Sequence, residues 1–116
     1  MLVLGRADDV IISGGENIHP LEVEAALEEH PAIAAAAVFP LPDEEWGQIV
    51  AAAVVPLAGQ PLPELAELRE KLRSSLPAYA LPRRLVVTDA LPQNAAGKLD
   101  RRALAAAYAT GVPPNL

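Results

Sequence analysis

The chain has 116 residues, enough for one compact domain that buries roughly two-thirds of its unfolded surface and too few for a second. With no cysteine it has neither a disulfide framework nor a thiolate metal site, as suits a reducing cytoplasm. No stretch reaches the roughly twenty unbroken apolar residues of a membrane span, and the N-terminus lacks a signal-peptide pattern. A soluble cytoplasmic protein is expected. The hydrophobic share of 52% is swollen by 23 alanines, so the core must come from a limited set of Leu, Val and Ile, and intrinsic stability should be modest. A net charge of −6 argues against nucleic acid, which is bound through cationic contacts to phosphate. The charge is also polarised: residues 1–68 hold twelve acids and one base, and residues 69–116 hold three acids and eight bases. Part of this is solvated helix face, yet Arg83, Arg84, Lys98, Arg101 and Arg102 could offer a local cationic surface to a small phosphorylated ligand.

In chain order, Leu2–Leu4, the polar residues 5–9 and the β-branched run Val10–Ile12 predict a small hairpin. Gly14 and Gly15 follow as a loop in which a ligand could approach the main chain. Pro20 suits a first helical position, with Glu22 and Glu24 near the positive end of the helix dipole. Val23, Ala26, Leu27 and His30 share a face of that helix. Residues 32–39, caged between prolines, predict a strand closed by Pro40 and Pro42 in spite of their alanines. A turn at 43–47 leads to a second strand over 48–56, antiparallel to the first. Gly59, Pro61 and Pro63 make a rigid connection. The clearest helix spans 64–76, with Leu65, Leu68, Leu72 and Leu76 on one stripe and Glu67 four residues before Lys71. A strand at 85–88, a polar loop at 89–97 and a helix capped by Asp100 and running to Tyr108 complete the domain. Residues 110–116 are expected to fray. These elements make an α+β fold: a three-stranded, mainly antiparallel sheet flanked by helices, with a small N-terminal β-hairpin.

The string Gly5-Arg6-Ala7-Asp8-Asp9-Val10-Ile11-Ile12-Ser13-Gly14-Gly15-Glu16-Asn17-Ile18-His19-Pro20, continuing through Glu22-Val23-Glu24, resembles the hinge motif of the acyl- and aryl-CoA ligases of the adenylate-forming (AMP-binding) superfamily. Leu91-Pro92-Gln93-Asn94-Ala95-Ala96-Gly97-Lys98-Leu99-Asp100-Arg101 is similar to the terminal lysine motif of that superfamily. The resemblance covers nearly the whole chain, residues 1–116, but only the small C-terminal lid domain of the enzyme. It implies the same α+β architecture.

Lys98 follows Gly97 in a polar loop, a long cation that can reach charge developing on a phosphate; the plain alternative is a surface lysine. The segment is no P-loop, since it begins with Pro92 and Leu99 stands where Ser or Thr is required. The resemblance makes Lys98 the catalytic residue of adenylation and, through Pro92-x-x-x-x-Gly97-Lys98, an acetylation site. It makes Asp8 the hinge, although Asp8 and Asp9 also suit an ordinary turn. Arg6 matches the residue that contacts the adenylate ribose, and equally suits a salt bridge with Asp8 or Asp9. Gly14, Gly15, Glu16 and Asn17 resemble the loop lining the pantetheine tunnel, where a thin polyamide needs close backbone approach and amide partners. Trp46 matches an aromatic that contacts the CoA nucleotide, although a lone tryptophan is more often core. Tyr79 and Arg83 match further CoA-contacting positions, and Leu81 stands where a close relative carries a cation. His19 and His30 lack metal-ligand spacing, and no metal site is expected.

The function implied is the mobile C-terminal domain of an ATP-dependent acyl- or aryl-CoA synthetase. It would act with ATP or AMP, CoA and magnesium, all mainly through an N-terminal AMP-binding domain that is its partner, and would meet the acyl-adenylate. Alone it should be inactive. Two rivals stand beside this reading: a lid from a carrier-protein-loading adenylation domain, and a non-catalytic stand-alone α+β binding module. A lid requires an exposed Lys98 and an open apolar face near Asp8; a self-contained module would bury that face or dimerise through it.

Overall fold

A computed structural model describes residues 10–58 and 61–108. Its first element is a hairpin of β1 (Ile11–Ser13) and β2 (Glu16–Ile18), with Ile11 opposite Ile18 and Ser13 opposite Glu16. The N-terminal hairpin is therefore present but closes one segment later than expected. Gly14 (φ +58°) and Gly15 (φ +85°) are its turn residues, both left-handed, as the primed turn that matches strand twist demands. The expected Leu2–Leu4 strand lies outside the described residues. Helix α1 (Pro20–Glu28) begins with Pro20 in its first turn, where a missing N–H costs nothing.

The sheet has the order β3 (Ile33–Asp43), β4 (Gly47–Pro56), β5 (Arg84–Val87). β3 and β4 are antiparallel, while β4 and β5 are parallel, with Ala51 opposite Arg84 and Val54 opposite Val87. The sheet is thus mixed, which corrects the mainly antiparallel expectation. The physical reason is the connection: α2 (Leu65–Leu72) carries the chain from the far end of β4 back to its start, and a helical crossover joins parallel strands. α2 is shorter than the expected 64–76, because residues 73–76 continue as turns and Ala78–Ala80 form a 3₁₀ turn. Among the described residues its ion pair is Glu70 with Arg73 at 2.7 Å, not Glu67 with Lys71. Helix α3 (Arg101–Tyr108) is capped by Asp100 as foreseen, whose Oδ1 accepts from Ala103 N at 3.0 Å.

β3 runs straight through Pro40 and Pro42, the residues expected to close it. It is an edge strand, and the outward amides of an edge are where proline is tolerated. Along that edge, Ala36 N donates to Glu28 Oε2 at 3.0 Å and Val38 N to Glu24 Oε2 at 2.8 Å. Positions 40 and 42 continue the same period and have no N–H to offer. Two glutamates of α1 and two prolines thereby leave no open donor for another chain to pair with along 36–42.

The period-two alternation of β3 and β4 divides the core into two clusters. On one face Ala36, Val38, Val50, Ala52 and Val54 meet Ile11 and Ile18 of the hairpin, Val23 and Leu27 of α1, and Leu68 and Leu72 of α2. On the other, Ala37, Phe39, Leu41, Ile49, Ala51 and Ala53 meet Leu104 of α3, with Leu91, Leu99 and Tyr108 packed at the margin. Phe39, fully buried, lies 6.0 Å from the Tyr108 ring, a tilted pair within the favourable range. The alanines let the layers approach closely and do not replace the larger side chains as a source of burial.

Candidate functional site

The lysine motif folds as a compact exposed turn. Asn94 is its hub: Oδ1 accepts from Ala96 N at 2.9 Å and from Lys98 N at 3.1 Å. Asn94 N donates to the Lys98 carbonyl at 2.8 Å and Gly97 N to the Asn94 carbonyl at 2.9 Å. Gly97 adopts φ +80° to make this closure, a conformation that suits glycine. A bridge between Gln93 and Leu99 and a bond from Asp100 N to the Pro92 carbonyl at 3.0 Å close the base. Lys98 is exposed, and among the described residues its ammonium is in no ion pair. The turn fixes the root of the lysine through the bonds of Asn94 and the backbone.

Immediately behind it, Arg101 and Glu24 form a bidentate ion pair, Nε to Oε2 at 3.0 Å and Nη2 to Oε1 at 2.8 Å. Their side chains are only 15% and 9% exposed. Because Glu24 also accepts from Val38 N, this one carboxylate ties α1, the edge of β3 and the start of α3 together.

The second group gathers at the other end of the motif map. Gly14 N donates to the Trp46 carbonyl at 2.9 Å, and Ile12 N to Gln48 Oε1 at 2.8 Å, so the hairpin tip rests on the β3–β4 turn. Asp43 Oδ2 shapes that turn by accepting from Glu45 N at 3.0 Å and Trp46 N at 2.9 Å, an Asx turn. The indole is 37% exposed, and the guanidinium carbon of Arg83 sits 4.7 Å from its ring centroid, a cation–π contact. Three residues named from the sequence, Gly14, Trp46 and Arg83, are thus one cluster. Glu16 is exposed beside them on the hairpin. Asn17 and Tyr79 meet separately, in a cleft of about 140 Å³ shared with His19, Glu22 and Leu76. Arg6 and Asp8 lie outside the described residues.

A methyl group on Gly14 would stand 2.7 Å from Trp46 Cε3, whereas one on Gly15 would meet nothing within 4 Å. Both positions have positive φ, so alanine at either is strained by about 1–2 kcal/mol. Only Gly14→Ala must also displace the indole. It is expected to shift Trp46 emission to the red and to lower the unfolding midpoint more than Gly15→Ala does; equal effects and unchanged emission would show that the hairpin tip does not rest on the ring.

Asp43, Gln48, Asn94 and Arg69 were not singled out by the sequence, and Glu24 was read only as a charge near the helix dipole and a motif position. Asp43 and Asn94 carried a local signal, since each stands three residues before a site residue or its glycine. Glu24 carried none, because a glutamate in an acidic helix gives no sign of burial. Arg69 donates from Nη1 to the Pro82 carbonyl at 2.7 Å and to that of Leu81 at 3.4 Å. Burial first, then the fields of Arg83 and Arg73, hold its guanidinium below the ordinary arginine range.

The model of the AMP-binding enzyme C-terminal domain matches residues 22–98. A probable 2-succinylbenzoate–CoA ligase of Mycobacterium tuberculosis is 46% identical over 109 residues, which are 94% of this chain and 28% of that protein. A 4-chlorobenzoate–CoA ligase of Arthrobacter is 44% identical over 106 residues, 90% of this chain and 20% of that protein. Among solved structures, o-succinylbenzoate CoA synthetase of Bacillus subtilis, in complex with its acyl-adenylate intermediate, superposes with a TM-score of 0.80 at 42% identity, over 87% of this chain and 20% of that one. Apo MatB from Rhodopseudomonas palustris gives 0.85 at 32% identity, over 92% and 21%. This chain therefore spans under a third of the relatives it matches. With its model covering 22–98 and relatives of this likeness, the chain belongs to the AMP-binding enzyme C-terminal domain family.

Proposed function

We propose that the chain is the mobile lid of an ATP-dependent acyl- or aryl-CoA ligase, supplying an adenylation lysine and a CoA-binding surface to an N-terminal AMP-binding domain. One observation carries this reading. The lysine turn packs through Leu91 and Leu99 on the α3 side of the sheet, and the glycine hairpin packs through Ile11 and Ile18 on the opposite side. A single sheet cannot offer both faces to one active site at once. The two groups therefore serve two half-reactions, and the lid turns between them about Asp8. Lys98, exposed and without a carboxylate partner among the described residues, and Ile12, 52% exposed on the hairpin, support a lid over a self-contained module.

In the first half-reaction the substrate carboxylate displaces pyrophosphate from ATP. The Lys98 ammonium offsets charge gathering between the carboxylate and the α-phosphate, and Arg6 holds the ribose. Magnesium belongs to ATP in the large domain. In the second, the CoA thiol displaces AMP from the acyl carbonyl while Gly14, Gly15, Glu16 and Asn17 flank the pantetheine. Trp46 and Arg83 receive the nucleotide end, and Tyr79 contributes from the cleft that it shares with Asn17. An aromatic face plus a cation is the chemistry that end requires, so the residues fit it. The same exposure leaves Lys98 open to acetylation, which would cancel the charge that the first step uses.

The test is to express the partner AMP-binding domain apart and add this chain. Pyrophosphate release and acyl-CoA formation are expected only from the mixture. A large domain equally active without the chain would turn the reading towards a non-catalytic module, and transfer to a pantetheinyl carrier protein but not to CoA would turn it towards a carrier-loading enzyme.

A further inference from the structure

Arg69 projects from α2 and ends beside the peptide that leads into Arg83, since its Nη1 donates to the Pro82 carbonyl at 2.7 Å. Arg83 in turn covers the Trp46 ring at 4.7 Å. Among the described residues neither guanidinium is in an ion pair: Glu70, next to Arg69 in the helix, is taken by Arg73 at 2.7 Å. The two carbonyls engage only one nitrogen of Arg69, and a guanidinium carries five N–H donors. Arg69 is half-buried and Arg83 exposed, and the charge of Arg69 is disfavoured first by burial and then by repulsion from Arg83 and Arg73. A bound dianion relieves that repulsion and accepts the remaining donors.

We infer that Arg69 is a specificity residue of this site: with Arg83 it holds the phosphomonoester on the ribose of a nucleotide whose base lies against Trp46. The inference rests on the CoA reading and adds to it a discrimination that the reading lacks, between CoA and dephospho-CoA. The fork geometry of arginine matches such a phosphate, and the carbonyl bonds keep the fork aimed before the ligand arrives.

The chain is titrated with CoA and with dephospho-CoA, reading the emission of Trp46, its single tryptophan. Wild type is expected to bind CoA roughly tenfold more tightly than dephospho-CoA, the worth of one charge-assisted hydrogen bond. Arg69→Gln is expected to abolish that preference while leaving the affinity for dephospho-CoA unchanged, and Arg69→Lys to keep part of it. Equal weakening of both ligands in Arg69→Gln would mean that Arg69 only braces the Leu81–Pro82 segment; a preference kept in full would mean that Arg83 suffices. Either result overturns the inference while the CoA reading stands. If Arg69→Gln does not fold, Arg69→Lys bears the same comparison, and a full preference there together with full affinity overturns the need for the fork. A wild-type chain that responds to neither ligand overturns the inference, and the CoA reading is then decided by acyl-CoA formation in the mixture with the partner domain.

Discussion

Lys98→Ala is expected to slow acyl-adenylate formation about 10²–10³-fold, the usual loss when one preorganised charge-stabilising group is removed. Thioester formation from acyl-adenylate supplied ready-made should stay near the wild-type rate. The two half-reactions are expected to separate because the lysine turn packs through Leu91 and Leu99 on the α3 side of the sheet and the glycine hairpin through Ile11 and Ile18 on the other. Stability should hardly change, since Lys98 is exposed and its ammonium has no partner among the described residues, and such surface substitutions usually stay within about 0.5 kcal/mol. The turn itself is independent of the ammonium, because its bonds run through Asn94 and the backbone. The measurement is single-turnover pyrophosphate release and single-turnover thioester formation on the assembled enzyme. Equal slowing of both would make Lys98 a docking residue; no slowing of the first would remove it from the chemistry.

How much of this could be read from the sequence depended on whether the cause was local. Pro20 at the head of α1, the Asp100 cap, the leucines of α2 and the strand character of 48–56 are each set by neighbours within a turn or two, and each was legible. The mixed sheet was not, because the direction of β5 follows from where α2 leaves the chain, a property of the connection. The prolines of β3 misled for a related reason. They break a central strand and suit an edge, and only the finished sheet says which strand is the edge. Gly14 and Gly15 were recognisable as a loop, but pairing of Glu16–Ile18 back onto β1 was not, since an Asn and a Glu are weak strand formers. At the site, Gly14, Trp46 and Arg83 were nameable one by one through the family motif. That they form a single stack depends on the β3–β4 turn folding under the hairpin. The buried ion pair of Glu24 and the carbonyl contacts of Arg69 escaped altogether, because in each a charged residue on a helix meets a partner distant in sequence.

Glu24→Ala is expected to be the most destabilising single polar substitution in the described chain, at about 3–5 kcal/mol, the cost of removing one partner from a buried ion pair. Three bonds are lost together: two from Arg101 and one from the Val38 amide. The loss is a large share of the roughly 5–15 kcal/mol that holds a domain of this size. At roughly 4 °C per kcal/mol, the melting midpoint should fall by about 12–20 °C. The Val38 amide distinguishes this loss from that of a simple pair, since it lies on the sheet edge and would be left as an open donor. Glu24→Gln, which can still accept from Val38, should therefore cost less than Glu24→Ala, although it too breaks the charge pairing. A double-mutant cycle of Glu24→Ala with Arg101→Ala isolates the ion pair, and a coupling above about 1 kcal/mol is expected for side chains in direct contact. A coupling near zero would show that Glu24 acts only on the edge of β3. A large coupling bears on function as well, because Arg101 is three residues beyond Lys98 and its anchorage fixes where α3, and hence the lysine turn, begins. In that case Glu24→Ala should slow adenylation even at a temperature where the variant remains folded, and Glu24→Gln should slow it less.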